Sequence, residues 1–276
     1  MKLPSRPRAV VTGAASGFGR ALALRLAGDH ARLVLSDIDE AGLEQTAELA
    51  REAGAQARTL RCDVRDPDDV EAMAQLTDEE FGGVDLLVNN AGVAVAGAMG
   101  DVSLEDWHWQ IDINLWGVIH GCHAFVPRMK AAGGGLILNV ASSAGLACAP
   151  LMGPYNVSKA GVIALSETLY AELADDGIGV SVLCPTFFRT NIHLGSRTSD
   201  PTLLETTTRL VTKARWSAEQ IAEHALEGLE RGDLIIIPQP DGRAIWRAKR
   251  LLGGGFQRWM GKLMKSPRAM KWLTGR

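Results

Sequence analysis

Tyrosine is almost missing from this chain: its 276 residues hold two, Tyr155 and Tyr170. Cysteine is scarce as well. Cys62, Cys122, Cys148 and Cys184 are scattered without a CxxC pair. That pattern excludes a disulfide framework or zinc ribbon and fits small apolar residues in a reducing compartment. The six histidines show no zinc-ligand spacing, so no metal is expected. No run of eighteen apolar residues occurs, and no signal-like segment follows Met1-Lys2. Neither a spanning helix nor a secretory leader is therefore expected, and the chain reads as cytoplasmic. Internal repeats and low-complexity stretches are absent too.

Negative charge is nearly missing from one segment. The net charge is −3, yet residues 241–276 carry ten Lys/Arg against one Asp, which leaves −12 on the remainder. Three of the seven tryptophans (Trp246, Trp259, Trp272) lie in that same segment. The composition therefore divides the chain into one domain over 1–240 and a basic amphipathic extension over 241–276.

What is present is a strand–helix alternation. Strands are expected at Ala9–Val11, Arg32–Ser36, Ala57–Cys62, Asp85–Val88, Leu136–Val140, Gly179–Leu183 and Leu234–Ile237. Between them, Ala41–Ala53 reads as a helix closed by Gly54, and Pro67–Phe81 as one stopped by Gly82-Gly83. Leu104–Met129 reads as one long helix and Tyr155–Leu173 as another. This order predicts an α/β fold: a doubly wound, Rossmann-type parallel sheet of about seven strands with helices on both faces. Asp37, Asp63, Asn90, Ser142 and Pro185 each follow a strand. In such a sheet the ligand crevice lies outside the strands' carboxyl ends, so one crevice can gather all five.

The first turn, Thr12-Gly13-Ala14-Ala15-Ser16-Gly17-Phe18-Gly19, carries three glycines between a strand and a helix. Glycine lets backbone approach a pyrophosphate, whose charge the helix N-terminus favours. The spacing is TGxxxGxG rather than GxGxxG. Asp37 ends the second strand, where a carboxylate can bond ribose hydroxyls.

Tyr155 and Lys159 stand four apart, with Ser142 thirteen residues upstream. On a helix the pair shares a face. A phenol near pKa ~10 is a poor base at neutral pH, and a neighbouring cation is expected to lower it. A serine hydroxyl beside them can bond a substrate oxygen, a set suited to proton transfer at a carbinol or carbonyl.

Taken together, these residues resemble the short-chain dehydrogenase/reductase family from about Arg8 to Pro238, with the motifs in the family's order. Thr12–Gly19 is similar to the family's cofactor glycine motif, in which Gly13, Ser16, Phe18 and Gly19 would contact the dinucleotide. Asp63-Val64 corresponds to the pair flanking the adenine, and Asn89-Asn90-Ala91-Gly92 to the NNAG motif. The catalytic set implied is Asn114, Ser142, Tyr155 and Lys159, with Asn114 steadying a water and Lys159 also bonding the nicotinamide ribose. Pro185–Thr190 resembles the segment beside the nicotinamide, although Thr186 stands where glycine is usual. Asp37 would repel a 2′-phosphate, and neither Ser16 nor Ile38 supplies a cation, so NAD is the expected cofactor.

The substrate side rests on apolar residues near these motifs: Val93, Val95, Leu146, Leu151, Met152, Phe187 and Phe188, with 191–215 as a lid. They point to a hydrophobic secondary alcohol or ketone, steroid-like or long-chain, as the small-molecule partner. The resemblance further implies a homo-oligomer, a tetramer or dimer. In the extension, Ala244, Ile245, Ala248, Leu251 and Leu252 form one helical stripe and Phe256, Trp259, Met260 and Leu263 another, with Arg247, Lys249, Arg250, Arg258 and Lys262 between. Such a segment can lie at an anionic membrane surface as a peripheral contact, cap a subunit interface, or close over the substrate pocket. Nucleic acid is not expected, because the cations accompany bulky apolar stripes. A second reading keeps the fold and NAD but makes the protein a sensor or scaffold without turnover.

Overall fold

The computed structural model describes residues 2–198 and 200–264; Trp272 and the other residues of the extension beyond 264 lie outside them. The first half runs β1 (Arg8–Thr12), α1 (Gly17–Ala27), β2 (Arg32–Asp37), α2 (Glu40–Glu52), β3 (Gln56–Arg61), α3 (Pro67–Phe81), β4 (Leu86–Asn89) and β5 (Val95–Ala96). Next come α4 (Leu104–Ile111), a π-helical turn (Asp112–Trp116), α5 (Gly117–Ala132), β6 (Gly135–Val140), α6 (Ser143–Ala147) and α7 (Gly153–Glu172). The chain continues through β7 (Ile178–Leu183), β8 (Arg197–Thr198), α8 (Pro201–Thr212), α9 (Ala218–Arg231), β9 (Ile235–Ile236), α10 (Pro240–Leu252) and α11 (Gly254–Met264).

Seven strands form one sheet in the order β3-β2-β1-β4-β6-β7-β9, and every pairing is parallel. Strand side chains alternate between the two faces. Ala9, Val11, Leu33, Leu35, Val88 and Leu138 therefore pack with α1, α2 and α9. Val10, Val34, Leu87 and Ile137 pack with α3, α5 and α7. Burying each Val, Leu or Ile side chain fully contributes about 1.5–3 kcal/mol, which is why runs with apolar residues on both faces become interior parallel strands.

Local chemistry sets the helix ends. Asp66 accepts from Asp68 N at 2.9 Å ahead of Pro67, and Gly82 closes α3 in the left-handed region at φ 71°. Ser217 and Gln220 form a reciprocal capping box on α9.

Three sequence expectations are corrected. The helix expected over Leu104–Met129 is two α-helices joined by the π turn that holds Asn114. The helix carrying Tyr155 starts two residues earlier, at Gly153, with Pro154 in its first turn. The last strand pairs only over Ile235–Ile236, and the short parallel pair β5–β8 has no counterpart in the sequence reading.

The described part of the extension packs on the body. Phe256 is 1% exposed, and Trp246 rests on the α3/α5/α7 core. Lys249 Nζ donates to Leu146 O, and Gln257 Nε2 donates to Ala147 O at 2.8 Å. Among the described residues no helix is long and apolar enough to cross a membrane.

Candidate active site

The order of the sheet reverses between β1 and β4, and the loops after these strands interlock there. Asn90 Nδ2 donates to Thr12 O at 2.8 Å and to Gly13 O at 3.1 Å. Thr12 Oγ1 accepts from the amides of Asn90 and Ala91 at 2.9 and 3.0 Å. The glycine turn and the NNAG loop are thereby one rigid unit.

Two of its glycines are required by geometry. Gly13 has φ +67°, and a Cβ there would lie 2.8 Å from Ala91 Cα. A Cβ on Gly19 would fall 2.2 Å from Gly13 O, so nothing larger than hydrogen fits under the turn. Ser16 caps α1 in extended backbone without a side-chain cap bond, and it lines the cavity together with Gly17 at the helix N-terminus. That cradle fits a pyrophosphate.

Asp37 stands at the end of β2. Its carboxylate accepts from Ala15 N at 3.0 Å and Asp39 N at 3.1 Å, which orients it beside the glycine turn. Ile38 beside it is 62% exposed. Asp63 accepts from Arg65 Nε at 2.9 Å. This pairing holds the Asp63 carboxyl below the usual carboxylate range and Arg65 above its own.

Ser142 leaves β6 as the N-cap of α6, its Oγ accepting from Ala144 N at 3.1 Å. Tyr155 and Lys159 come from α7, with Lys159 Nζ 5.9 Å from the Tyr155 ring centre. Lys159 is 3% exposed, and its Nζ donates to Val140 O at 2.8 Å.

The electrostatics depart from the sequence expectation. Burial pushes the Tyr155 phenol up, and hydrogen bonding with Ser142 opposes that rise. Burial also lowers Lys159 from 10.5 to about 8, with Cys184 acting in the opposite sense. Ser142 is thus a group that draws the phenol down, against the larger rise that burial imposes.

Asn114 is fully buried in the π turn. Its side chain pairs with the Val93 backbone on both sides, accepting from N at 2.8 Å and donating to O at 2.9 Å. A Cβ on Gly92 would lie 3.3 Å from Asn114 Oδ1 and 3.5 Å from Lys159 Nζ. Asn114 therefore sits one layer behind the cavity wall, beside the lysine. A π turn is a frequent marker of functional sites.

One cavity of about 550 Å³ connects these groups. Its wall holds Gly13, Ser16, Phe18, Asp37, Ile38, Asp63, Val64, Asn90, Ala91, Gly92, Ser142, Tyr155, Lys159, Pro185 and Thr190. Of the residues read from the sequence, Gly19 and Asn114 are absent from the wall and lie behind it. On the substrate side Val93, Met152, Phe187 and Phe188 line the cavity. Val95, Leu146 and Leu151 do not: the first two are core residues, and Leu151 faces outward, 38% exposed.

The lid segment contributes Asn191, Ile192, Gly195, Thr207 and Val211. It is held by Arg197, whose guanidinium lies 4.0 Å from the Trp109 ring and 2.9 Å from Asp106 Oδ1. Trp109 and Ile113, not expected in the pocket, also line it, as do Ile245 and Met260 of the extension, for which closure over the pocket is one of three readings. Ile245 and Met260 belong to the apolar stripes of the extension, so that periodicity was the available signal.

Thr186, the departure from the usual glycine, keeps negative φ. Its N–H donates to Gln239 Oε1 at 3.0 Å, and its hydroxyl to Asp241 Oδ1 at 3.3 Å. A Cβ on Gly242 would sit 3.0 Å from the Thr186 methyl, so the threonine docks against a glycine of α10. Among the described residues no cluster of three or more His, Cys, Asp or Glu could hold a metal.

Residues 7–200 match the sequence profile of the short chain dehydrogenases. The oxidoreductase SadH of Mycobacterium tuberculosis is 34% identical over 254 residues, covering 91% of this chain and 92% of that protein. The D-threitol dehydrogenase of Mycolicibacterium smegmatis is 38% identical over 237 residues, covering 83% of this chain and 90% of that one. Among solved structures, a short chain dehydrogenase/reductase from Burkholderia phymatum in complex with NAD superposes with a TM-score of 0.88. It shares 36% identity and covers 91% of this chain and 95% of its own. A profile matched over most of the chain, on a sheet of this order, establishes that the chain belongs to the short-chain dehydrogenase/reductase family of oxidoreductases.

Proposed function

We propose that this oxidoreductase transfers a hydride between NAD and a hydrophobic secondary alcohol or ketone, with Tyr155 as the acid/base. The observation that carries the reading is one cavity with the glycine cradle and Asp37 at one end and Ser142, Tyr155 and Lys159 at the other. NAD, when bound, supplies the hydride acceptor or donor. The chain's own residues do the rest.

The Gly13 turn and the α1 N-terminus hold the pyrophosphate, and the Asp37 carboxylate takes the adenosine ribose hydroxyls and opposes a 2′-phosphate. At that end Arg65 pairs with Asp63 and Arg61 with Glu40, and among the described residues no cation pairs with the Asp37 carboxylate. The Burkholderia relative, crystallised with NAD, supports the same choice.

In oxidation, Ser142 Oγ bonds the substrate oxygen while Tyr155 Oη takes its proton; in reduction Tyr155 returns it. Lys159 serves as the charge at Nζ that stabilises the phenolate as it forms, and its own reluctance to stay charged keeps it able to relay a proton. Asn114 acts through position: it fixes Val93 and stands beside Lys159 Nζ.

The substrate class follows from the walls. Val93, Trp109, Ile113, Met152, Phe187 and Val211 present apolar surface around the catalytic end. A polyol such as the one in the name of the mycobacterial relative would leave its hydroxyls unpaired there, which disfavours it. We also propose a two-fold homo-oligomer through α7 and the π turn that leads into α5, supported by Trp116 of that turn and Val157 and Tyr170 of α7 at 49%, 50% and 43% exposure.

The experiment is a screen of NAD reduction over hydrophobic secondary alcohols, with Tyr155→Phe alongside. Turnover should appear with NAD and fall ~10²–10⁴-fold in the variant, while NAD affinity stays. A variant retaining more than about a tenth of the rate sinks the acid/base assignment. NAD binding without turnover on any alcohol or ketone would favour the sensor reading.

A further inference from the structure

The extension does two things at once. Its inner face is packed: Phe256 is buried, and Ile245 and Met260 complete the cavity wall. Among the described residues nothing covers its outer face. Leu251 is 85% exposed, Leu252 58% and Trp259 53%. Gly253 of the turn and Gly254 and Gly255 at the start of α11 stand clear of the body, since a Cβ on any of them would meet nothing within 4 Å.

The charge beside these residues is of one sign. Residues 242–264 hold six Lys/Arg and no Asp or Glu. Lys249 points inward to Leu146 O and Cys148 Sγ, and Arg250 stacks on Trp246 at 4.8 Å. Arg243, Arg247, Arg258 and Lys262 are exposed, and among the described residues no carboxylate pairs with them.

We propose that this face docks on an anionic lipid surface, with Leu251, Leu252 and Trp259 entering the headgroup boundary and Arg247, Arg258 and Lys262 meeting lipid phosphates. Exposed leucines at a free-standing turn, an interfacial tryptophan and unpaired cations on the same two helices are the features such a surface selects. A protein partner for this face would have to bring carboxylates of its own beside an apolar patch, whereas an anionic bilayer offers phosphates and an apolar interior in one surface. Nucleic acid would leave the leucines and Trp259 exposed without benefit. The consequence for the enzyme is that the docked helices are also a wall of its apolar cavity, so a lipid-dissolved substrate would meet the site at the membrane. The docking itself does not depend on the hydride-transfer reading.

The test uses the full-length protein loaded with NAD. Co-sedimentation is measured with vesicles of phosphatidylglycerol and phosphatidylcholine, and with phosphatidylcholine alone, at low and high salt. The protein should pellet with the anionic vesicles, less so at high salt, and not with the neutral ones. Arg247→Gln/Arg258→Gln/Lys262→Gln should lower partitioning by about 100-fold. Leu251→Ser/Leu252→Ser should also release the protein. Both variants should keep the wild-type melting temperature, NAD affinity and solution mass. No pelleting with anionic vesicles overturns the proposal, as does pelleting undiminished in both variants. A fall in light-scattering mass in either variant, without vesicle binding by the wild type, would assign the face to a second copy of the chain instead.

Discussion

Replacing Lys159 with methionine should make the protein more stable and inactive. The amine is buried, and its fall from 10.5 to about 8 corresponds to about 3 kcal/mol of disfavour for the ammonium in the folded chain. At pH 7 both the folded and unfolded chains carry the proton, so the folded state bears that whole cost. As pH rises from about 8 to 10.5, the unfolded chain holds more of the proton than the folded one, so stability climbs. Methionine has a similar volume and no charge, and it removes the cost. It also deprives Val140 O of the donor at 2.8 Å, a loss of about 1–2 kcal/mol for a buried acceptor. The net at pH 7 is a gain of about 1 kcal/mol, or ~2–4 °C in Tm. The assay is thermal and urea denaturation of wild type and Lys159→Met at half-unit steps from pH 6.5 to 10. The range stops there because the raised Tyr155 phenol reverses the trend: above its unfolded value the folded chain holds the extra proton, and stability falls. Burial pushes the Cys62, Cys122 and Cys184 thiols from 9.0 up to about 12, so both proteins lose stability above about pH 9 and the lysine is read from their difference: the variant's advantage at pH 7 should shrink and then reverse between pH 8 and 10. A variant destabilised by more than about 1 kcal/mol at pH 7, with the wild-type slope intact, would refute the idea of a strained buried cation; the expected gain is itself only of that size.

Three further outcomes follow from the same geometry. Asp37→Ser with Ile38→Arg should move kcat/KM preference from NAD toward NADP, and a wild type that uses both equally would remove Asp37 from the cofactor argument. Gly19→Ala places a Cβ 2.2 Å from Gly13 O; NAD affinity by calorimetry should fall about 5- to 150-fold, the cost of a clash of ~1–3 kcal/mol. Light scattering at micromolar concentration should give a dimer or tetramer mass, and Val157→Glu on the exposed α7 face should reduce it; a monomeric wild type contradicts the two-fold assembly.

The fold was legible because parallel strands buried on two faces leave unmistakable apolar runs. Val10-Val11, Leu33–Leu35, Leu86–Val88 and Leu136–Leu138 are 0–4% exposed, and glycine or an acidic cap marks most helix ends. What escaped was structure with no sequence period of its own. A π turn adds one residue to a helical turn without altering composition, so Asp112–Trp116 reads as ordinary helix until Asn114 is seen turned inward to Val93. The β5–β8 pair is two residues long on each side, too short for alternation to register. Its lid is held instead by a single arginine, Arg197, whose partners Trp109 and Asp106 lie about ninety residues away.

At the site, motif residues were readable as types at fixed spacings, and the catalytic and cofactor residues expected from them, all but Gly19 and Asn114, meet at one cavity wall. The sign of the electrostatics was not readable, because spacing along α7 fixes which face Tyr155 and Lys159 share but not how dry that face is. Burial decides it, raising the phenol and lowering the amine together. The apolar lining was the weakest part, since Val95 and Leu146 differ from Val93 and Met152 only in which way the backbone turns them. The most consequential omission was a link between two oddities. Thr186 in place of glycine and a basic extension look unrelated in sequence. In the fold, the Thr186 amide and hydroxyl bind Gln239 and Asp241, and its methyl seats against Gly242. The start of α10 is thereby fixed to the segment beside the nicotinamide site. From that anchor α10 and α11 reach across to Leu146 and Ala147 and set Ile245 and Met260 in the cavity wall. A residue that departs from the family pattern thus lets a segment outside the family match form part of the candidate substrate site.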